Sequence, residues 1–468
     1  MSDKTETQEN LTAGKIWEDF IETTGFHAVN KIDFGKKHPP GRTLFWMCIW
    51  LLSAGYLIFT VTTELISYYK YPTTTTVSVK NNDELGFPAV TICNLATRNR
   101  SMFTENDQTD AYYLGISALY DTAPKVNWSD PFYSTEGYFN ERTLDDLYME
   151  SKSLSKFITF HKFDLKHFYL NYTPVSTDLG LCVRFNMGSP PEKTVMHGGV
   201  YNLQMYIDLR LDDDFFAATY LSSGLKVVVH DQSEVVLMAN DGFVVPAASE
   251  ALIEISRKEY KYLPPPFMAF EDDTCEDKRS NYSTSKCHQR CLRDFLLQQC
   301  SCVGFMFNSP TGKYCSKERF SECFMPEFWN FLKKGVNCSC PFQCQYTEYD
   351  TKLSFGLFPS TFMLKSLATV LNETEDYIKN NYISLTLFYK DLKTTITEQK
   401  PKYENVGDVF SNVGGQMGLF LGASILTVTE LCEFILFVAW YLLVHLFRRN
   451  VVVQNGNKIH LSIQEQKK

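Results

Sequence analysis

The chain has 468 residues, 44 % of them hydrophobic and 21 % charged, and a formal net charge of −9. It is large enough for a core, and the mild acidity singles out no partner; no nucleic acid is expected. No nucleophile motif, metal-binding triad or glycine-rich phosphate loop is visible, so neither an enzyme nor a cofactor or metal site is expected.

Residues 1–43 are charged and lead into an apolar stretch at 44–66 with Glu64 near its far end. That stretch is long enough for a bilayer of about 30 Å, which takes about 20 helical residues. It begins too far from the N-terminus, after charged sequence, to be a cleaved signal peptide. Lys36, Lys37 and Arg42 precede it, and Arg448 and Arg449 follow a second apolar segment at 409–447. The positive-inside rule then places both termini, 1–43 and 448–468, in the cytoplasm and 67–408 outside.

Cysteine usage agrees with an outer region. Twelve of the 14 cysteines lie between Cys93 and Cys344, the spacing of a disulfide framework in an oxidising compartment. The CxC pairs Cys300–Cys302 and Cys338–Cys340 invite a zinc reading, but disulfides suit a cysteine-dense outer module better. Glycosylation acceptors occur at Asn99, Asn127, Asn171, Asn281 and Asn372. A further sequon at Asn337 has a cysteine in its middle position.

Along the outer region, 73–79 and 87–92 read as strands, as do 201–210, 225–230, 251–256 and 382–392. The last alternates apolar and polar residues and feeds the second span. The stretch 144–166 is helical in composition, and 287–299 and 326–334 are helix candidates. Tyr262-Leu-Pro-Pro-Pro-Phe267 is a stiff connector. The expected fold class is α+β.

The second span carries the chemistry. Gly414, Gly418 and Gly422 recur every fourth residue, a spacing that lets helix backbones approach closely. Glu430 and Glu433 follow within the apolar run, where carboxylates cost several kcal/mol unless water or a cation reaches them. The segment exceeds one straight span, and Gly422-Ala423-Ser424 is the natural break. Small residues with acids beyond them read as a cation pore built from several copies. A plain anchor with a glycine dimer face is the competing reading.

These motifs together resemble the degenerin, epithelial sodium channel and acid-sensing ion channel superfamily over nearly the whole chain. Phe87-Pro-Ala-Val-Thr-Ile-Cys-Asn94 is similar to its signature after the first span, and the proline connector to its palm-to-thumb link. The spacing of Cys287, Cys291, Cys300, Cys302, Cys338, Cys340 and Cys344 looks like its thumb ladder. The resemblance implies a trimer in which two transmembrane helices flank a disulfide-rich outer domain, with a β-sheet palm and a helical thumb at about 268–350. It implies the bridges Cys93–Cys182, Cys275–Cys344, Cys287–Cys340, Cys291–Cys338, Cys300–Cys323 and Cys302–Cys315.

By the same resemblance, Gly422, Ala423 and Ser424 match the selectivity filter, and Glu430 and Glu433 match the pore acids. Ser411 matches a gate position where bulky side chains hold channels open, and Asn412 replaces a frequent Asp beside it. His27 matches the histidine of a cytoplasmic His-Gly motif, with Ala28 where Gly is usual. Independently of the resemblance, the stiff proline run ends in Phe267, which should rest near Tyr71 just outside the first span and serve as a coupling contact.

The stimulus is read from departures. Proton-gated members carry a His pair where this chain has Tyr71-Pro72, and thumb carboxylates near the positions of Met325 and Trp329. The sequence looks most like invertebrate peptide-gated sodium channels, cnidarian RFamide-gated or FMRFamide-gated. The expected function is an amiloride-sensitive, sodium-favouring channel of the plasma membrane, opened by an extracellular neuropeptide. Its partners are sodium ions, membrane lipid, an amiloride-type blocker and related subunits of a homo- or heterotrimer. The alternatives are a proton-gated channel, with acids such as Asp212–Asp214 or Asp272–Asp273 serving, and a non-gating subunit of a heterotrimer. An adhesive anchor would not need Glu430 and Glu433, and an ATP-gated channel would need a lysine-rich phosphate site that is not evident.

Overall fold

The computed structural model describes residues 13–444 apart from 33–38, 97, 105, 118–122, 152–156, 166–171, 189, 214–221, 239–240, 271–272, 278–281, 308, 310 and 336–337. Lys36, Lys37, Asn171, Asp214, Asp272, Asn281, Asn337, Arg448 and Arg449 lie outside the described residues. The chain divides into two compact units, 1–73 with 401–468, and 74–400.

In the first unit, a helix over Pro40–Tyr69 and another over Ile425–Val444 are long and apolar enough to cross a membrane. Pro40 suits the first helical turn, where a missing N–H costs nothing. A shorter helix, Val406–Leu421, precedes the second span, and Ala13–Thr23 forms an N-terminal helix. Leu57, Leu421 and Ala423 form this unit's small buried cluster.

The second unit is built on two sheets. The larger orders Gln345–Leu357, Ser249–Lys261, Tyr382–Pro401, Leu203–Asp208 and Ile158–Lys162, with Thr73–Asn81 also paired to Tyr382–Pro401. One strand of this sheet therefore follows the first membrane helix and another leads to the last. The smaller sheet orders Phe243–Val245, Leu225–His230, Ala89–Asn94, Gly180–Phe185 and Thr173–Thr177. Alternating residues such as Leu203, Met205 and Ile207, or Ala251, Ile253 and Ile255, point into a core shared by both sheets.

Sequence patterning misplaces one element here. The helix expected over 144–166 ends at Glu150, capped at its start by Thr143 and Asp146. Ile158–Lys162 is instead a strand, paired antiparallel with Leu203–Asp208. Its β-branched and aromatic residues gain cross-strand partners there, which outweighs the helical composition of the stretch.

A second apolar cluster joins Tyr112, Tyr113, Tyr133 and Tyr138 to Leu292, Leu296, Phe320 and Phe324. It covers one face of the helix Thr284–Cys300, N-capped by Ser283, and the start of the helix Met325–Lys334. Gly304 allows this packing: a Cβ there would lie 2.3 Å from the Phe324 ring. Six disulfides tie the unit: Cys93–Cys182, Cys275–Cys344, Cys287–Cys340, Cys291–Cys338, Cys300–Cys323 and Cys302–Cys315. Four of them run along the two thumb helices and the loops at their ends.

Candidate functional site: a broken membrane helix

The second membrane segment is interrupted at Gly422-Ala423-Ser424. Gly422 takes the left-handed conformation, φ +63°, which an L side chain adopts only at a cost. Its N–H donates to Gly418 O at 3.0 Å and the Ala423 N–H to Met417 O at 3.2 Å. This pair closes the helix as a glycine-ended stop. Ser424 opens the next helix: Thr427 N donates to Ser424 Oγ at 3.4 Å, and Ser424 N donates to Thr427 Oγ1 at 2.7 Å. A non-helical turn is thus held inside a segment otherwise apolar enough to span, with its polar groups bonded locally.

The N-terminal segment packs beneath this turn. His27 N donates to Leu421 O at 2.9 Å, and Gly25 N donates to Glu430 Oε2 at 3.0 Å. A Cβ on Gly422 would lie 2.4 Å from the His27 ring, and one on Gly25 would lie 2.5 Å from Thr427 Cγ2. Both glycines are required by close approach. Ala28 is itself left-handed, φ +68°, so a residue with a Cβ occupies a conformation that glycine takes freely. Phe20 stacks on Phe434 at 4.4 Å, and the Lys31 ammonium sits 4.0 Å from the Trp46 ring.

The structure therefore brings His27, Ala28, Gly422, Ala423, Ser424 and Glu430 into one place, while Glu433 is exposed on the same helix. Gly25 and Thr427 belong to the site without having been singled out in the sequence. The glycine just before Phe26-His27 was the available signal. Ser411 and Asn412 lie on the exposed face of Val406–Leu421. Asn412 Nδ2 donates to Glu64 Oε1 at 3.0 Å, and the Tyr403 hydroxyl donates to the same oxygen at 2.7 Å. The amide at 412 thus bonds a carboxylate that an Asp there would repel. Gly414 and Gly415 face open space, since a Cβ on either meets nothing within 4 Å.

In the outer unit, Phe267 is half-buried just after the proline turn, with its N–H donating to Pro264 O. Tyr71 belongs to the other unit and is left-handed, φ +51°. Asn127 and Asn372 are exposed, and Asn99 is half-buried. Met325 is buried within the tyrosine–phenylalanine cluster and Trp329 packs against it. Tyr133, Tyr138, Phe157 and Phe163 are core residues, so their rings are not free to line a ligand cleft.

Among the groups of perturbed acidity in the outer unit, His230 and Asp208 bear on the response to acid. His230 is buried, and burial pulls its imidazole down to about 4. Its Nδ1–H donates to Asp231 O at 2.8 Å, so Nε2 accepts from Thr91 Oγ1 at 2.8 Å. Asp208 is buried too, and desolvation raises its carboxyl above the usual range. Both its oxygens accept from the Tyr377 hydroxyl at 3.2 Å.

Two clefts of similar size open on this unit. One, of about 480 Å³, is lined by Asp231, Glu234, Asp241 and Glu348 with Phe243 and Tyr349. The other, of about 490 Å³, is lined by Arg184, Lys286, Arg290 and Arg293 with Tyr148 and Phe307.

Comparison with known proteins agrees with this arrangement. Residues 20–434 match the family model described as amiloride-sensitive sodium channel. The acid-sensing ion channel 1B of Danio rerio is 28 % identical over 461 residues, covering 94 % of this chain and 80 % of that protein. The bile acid-sensitive ion channel of Homo sapiens is 28 % identical over 456 residues, covering 91 % and 86 %. Acid-sensing ion channel 2 of Homo sapiens is 30 % identical over 443 residues, covering 89 % and 85 %. With a flanking pair of apolar helices, a bridged sheet domain and the family model spanning nearly all of it, the chain belongs to the amiloride-sensitive sodium channel family.

Proposed function

We propose that three copies of this chain, alone or with related subunits, form a ligand-gated, sodium-favouring cation channel of the plasma membrane. Both termini are cytoplasmic, and the pore narrows at Gly422-Ala423-Ser424 and is blocked by amiloride-type cations. The observation that carries this reading is the polar turn inside the second span, with Glu430 just below it. Three such turns ring a path with small groups and carbonyls, and three carboxylates below favour cations over anions. The open face at Gly414 and Gly415 leaves room for the close approach of other copies. The test is the reversal potential in sodium against potassium. Substituting Ser424 or Glu430 shifts it; unchanged selectivity in both variants removes the assignment.

The stimulus in this reading is an extracellular neuropeptide ending in Arg-Phe-amide. Met325 and Trp329 belong to an apolar cluster rather than a titrating pair, and His230 stays neutral between pH 7.4 and 5. The cleft of Asp231, Glu234, Asp241 and Glu348, with Phe243 and Tyr349, has the acid and ring chemistry such a peptide needs. Phe267 passes the signal toward Tyr71, so Phe267→Ala reduces opening while leaving agonist affinity unchanged. Recordings from oocytes expressing the chain alone decide the stimulus: a small RFamide panel at constant pH opens the channel, and acid steps from pH 7.4 to 5 do not.

Proton gating is the second reading, supported by Asp208. Burial raises its carboxyl above the usual carboxylate range, so it takes up a proton more readily than an exposed Asp as pH falls. Robust currents from acid alone, lost in Asp208→Asn, would establish it.

A further inference from the structure

The cleft of about 490 Å³ lies between the helix Thr284–Cys300 and the sheet edge at Thr173–Thr177 and Gly180–Phe185. Lys286, Gln289, Arg290 and Arg293 share one face of that helix, three or four residues apart, and all line the cleft. Arg184 enters from the opposite wall. Among the described residues, the lining has four cations and no carboxylate. The acid nearest in sequence, Asp294, pairs with Arg293 at 2.8 Å on an exposed side of the helix.

Arg184 adds a second, independent observation. Its Nε is buried and lacks a hydrogen-bond partner among the described residues. Its Nη1 donates to the Met187 thioether at 3.6 Å, a weak acceptor. Burial without a carboxylate partner lowers its pKa. Arg184 as a whole is half-buried, and a guanidinium with a water-excluded, unbonded Nε is costly unless something anionic reaches it.

The wall behind the cleft is also positive. Leu144, Tyr148 and Ser176 line both this cleft and a small adjoining pocket of about 20 Å³ that reaches Arg98 and Glu150. There Arg98, Arg142 and Lys317 all pair with the single carboxylate of Glu150, Arg98 at 3.4 Å and Lys317 at 3.1 Å. Three cations on one buried carboxylate leave an excess of positive charge, offset in part by Asp146 beside Arg142 and Lys317. Tyrosine rings over Arg98 and Lys317 offset part of the cost without cancelling the charge. The low-dielectric walls focus that field into the neighbouring cleft.

We infer that this cleft binds an amphipathic organic anion, its acid group held by Arg184, Arg290 and Arg293 and its apolar body lying on Val175, Met306 and Phe307. The size fits: small-molecule sites span roughly 300–1,000 Å³. The forked guanidinium suits a carboxylate or sulfonate held by two parallel hydrogen bonds. Such a ligand bridges the thumb helix and the sheet, so its binding biases any motion between them. The site does not depend on which agonist opens the channel.

The test is direct binding to the full-length channel in lipid nanodiscs, with empty nanodiscs subtracted. The probe is the fluorescent fatty acid dansyl-undecanoate, compared with its uncharged methyl ester. Saturable binding of the acid is expected, with the ester at least about tenfold weaker, the loss that follows removal of charge-assisted hydrogen bonds. The double variant Arg290→Glu with Arg293→Glu, at the mouth of the cleft, loses at least about tenfold in affinity while remaining trimeric. The charge-preserving pair Arg290→Lys with Arg293→Lys falls between the two, keeping the charge and losing the forked bonds. Arg184→Gln, read in the same assay, weakens binding from the opposite wall. Equal affinity in the charge-reversed variant, an ester as tight as the acid, or no saturable binding each overturns the site. Displacement of the probe by millimolar sulfate with no contribution from the chain length of the fatty acid also overturns it, since the cleft would then hold inorganic anions alone.

Discussion

Residues 74–400 are tied by six disulfides and two large buried clusters, whereas the unit of 1–73 and 401–468 is held by one small cluster and a few hydrogen bonds around a turn. Its described cysteines, Cys48 and Cys432, are free. A bridge across a loop of this length contributes roughly 2–4 kcal/mol, so the outer unit has several independent supports. The membrane unit has its polar turn, two glycines forced by close approach, and the His27 and Gly25 bonds beneath. Similar energies therefore have different consequences. Losing one support in the outer unit lowers its stability and leaves its shape. Losing one at the turn changes the part of the molecule proposed to conduct.

The sharpest way to break that comparison is Gly422→Val. It places a branched side chain at φ +63° against the His27 ring, at a cost of roughly 2–4 kcal/mol. The expected result is loss of more than about nine-tenths of the current, with surface trimers and intact disulfides preserved on biotinylation and non-reducing gels. Normal current would show that the turn is not part of the conducting path.

Removing the Cys302–Cys315 bridge, with both residues changed to Ser, costs about 3 kcal/mol for its short loop. Thermal unfolding of the purified channel should fall by several degrees while channel opening persists. Loss of surface expression would mean that the supports of the outer unit are not redundant.

Ser411→Phe tests the membrane unit from its exposed face. In the proposed trimer Ser411 surrounds the closed axis, where three bulky rings would overpack by about 1–3 kcal/mol, so a standing current without agonist is expected. Silent but normally gated surface channels would place Ser411 away from the axis.

His230 sharpens the comparison by pH. Its imidazole titrates near 6.5 when unfolded and about 4 when folded, so its contribution is complete above pH 6.5 and lost as pH falls toward 4. The outer unit should lose roughly 2 kcal/mol between pH 7.5 and 5 from this group alone. His230→Gln flattens that slope in pH-dependent unfolding; an unchanged slope would assign it to other groups.

The smallest effect is expected from Ala28→Gly, which relieves roughly 1–2 kcal/mol of left-handed strain and gives back about 0.4–1 kcal/mol in unfolded-state entropy. Agonist potency should shift by a few-fold, with no change in the thermal stability of the outer unit. No shift at all would uncouple the His27 loop from gating.

Much of this arrangement was legible along the chain. The two spans follow from apolar length, and the turn at 422–424 from small residues in a segment too long for one straight helix. The strand beginning at Tyr382 follows from its alternation. The bridge connectivity came with the family resemblance, because cysteine spacing alone leaves many pairings open. Composition misassigned 158–162, where pairing with Leu203–Asp208 overrode a helical neighbourhood.

What the sequence by itself determined is periodic or steric and local: span length, strand alternation and the glycine that can turn left-handed. Only the tertiary structure decided which groups meet. Gly25 reaches Glu430 across 405 positions, and Trp128 bonds Glu322 across 194. Arg98, Arg142 and Lys317 are distant in sequence, yet they share one carboxylate. Hydrogen bonds and charge pairs act over a few ångströms of space, whatever the separation along the chain, so their partners become visible only once packing has brought distant segments together.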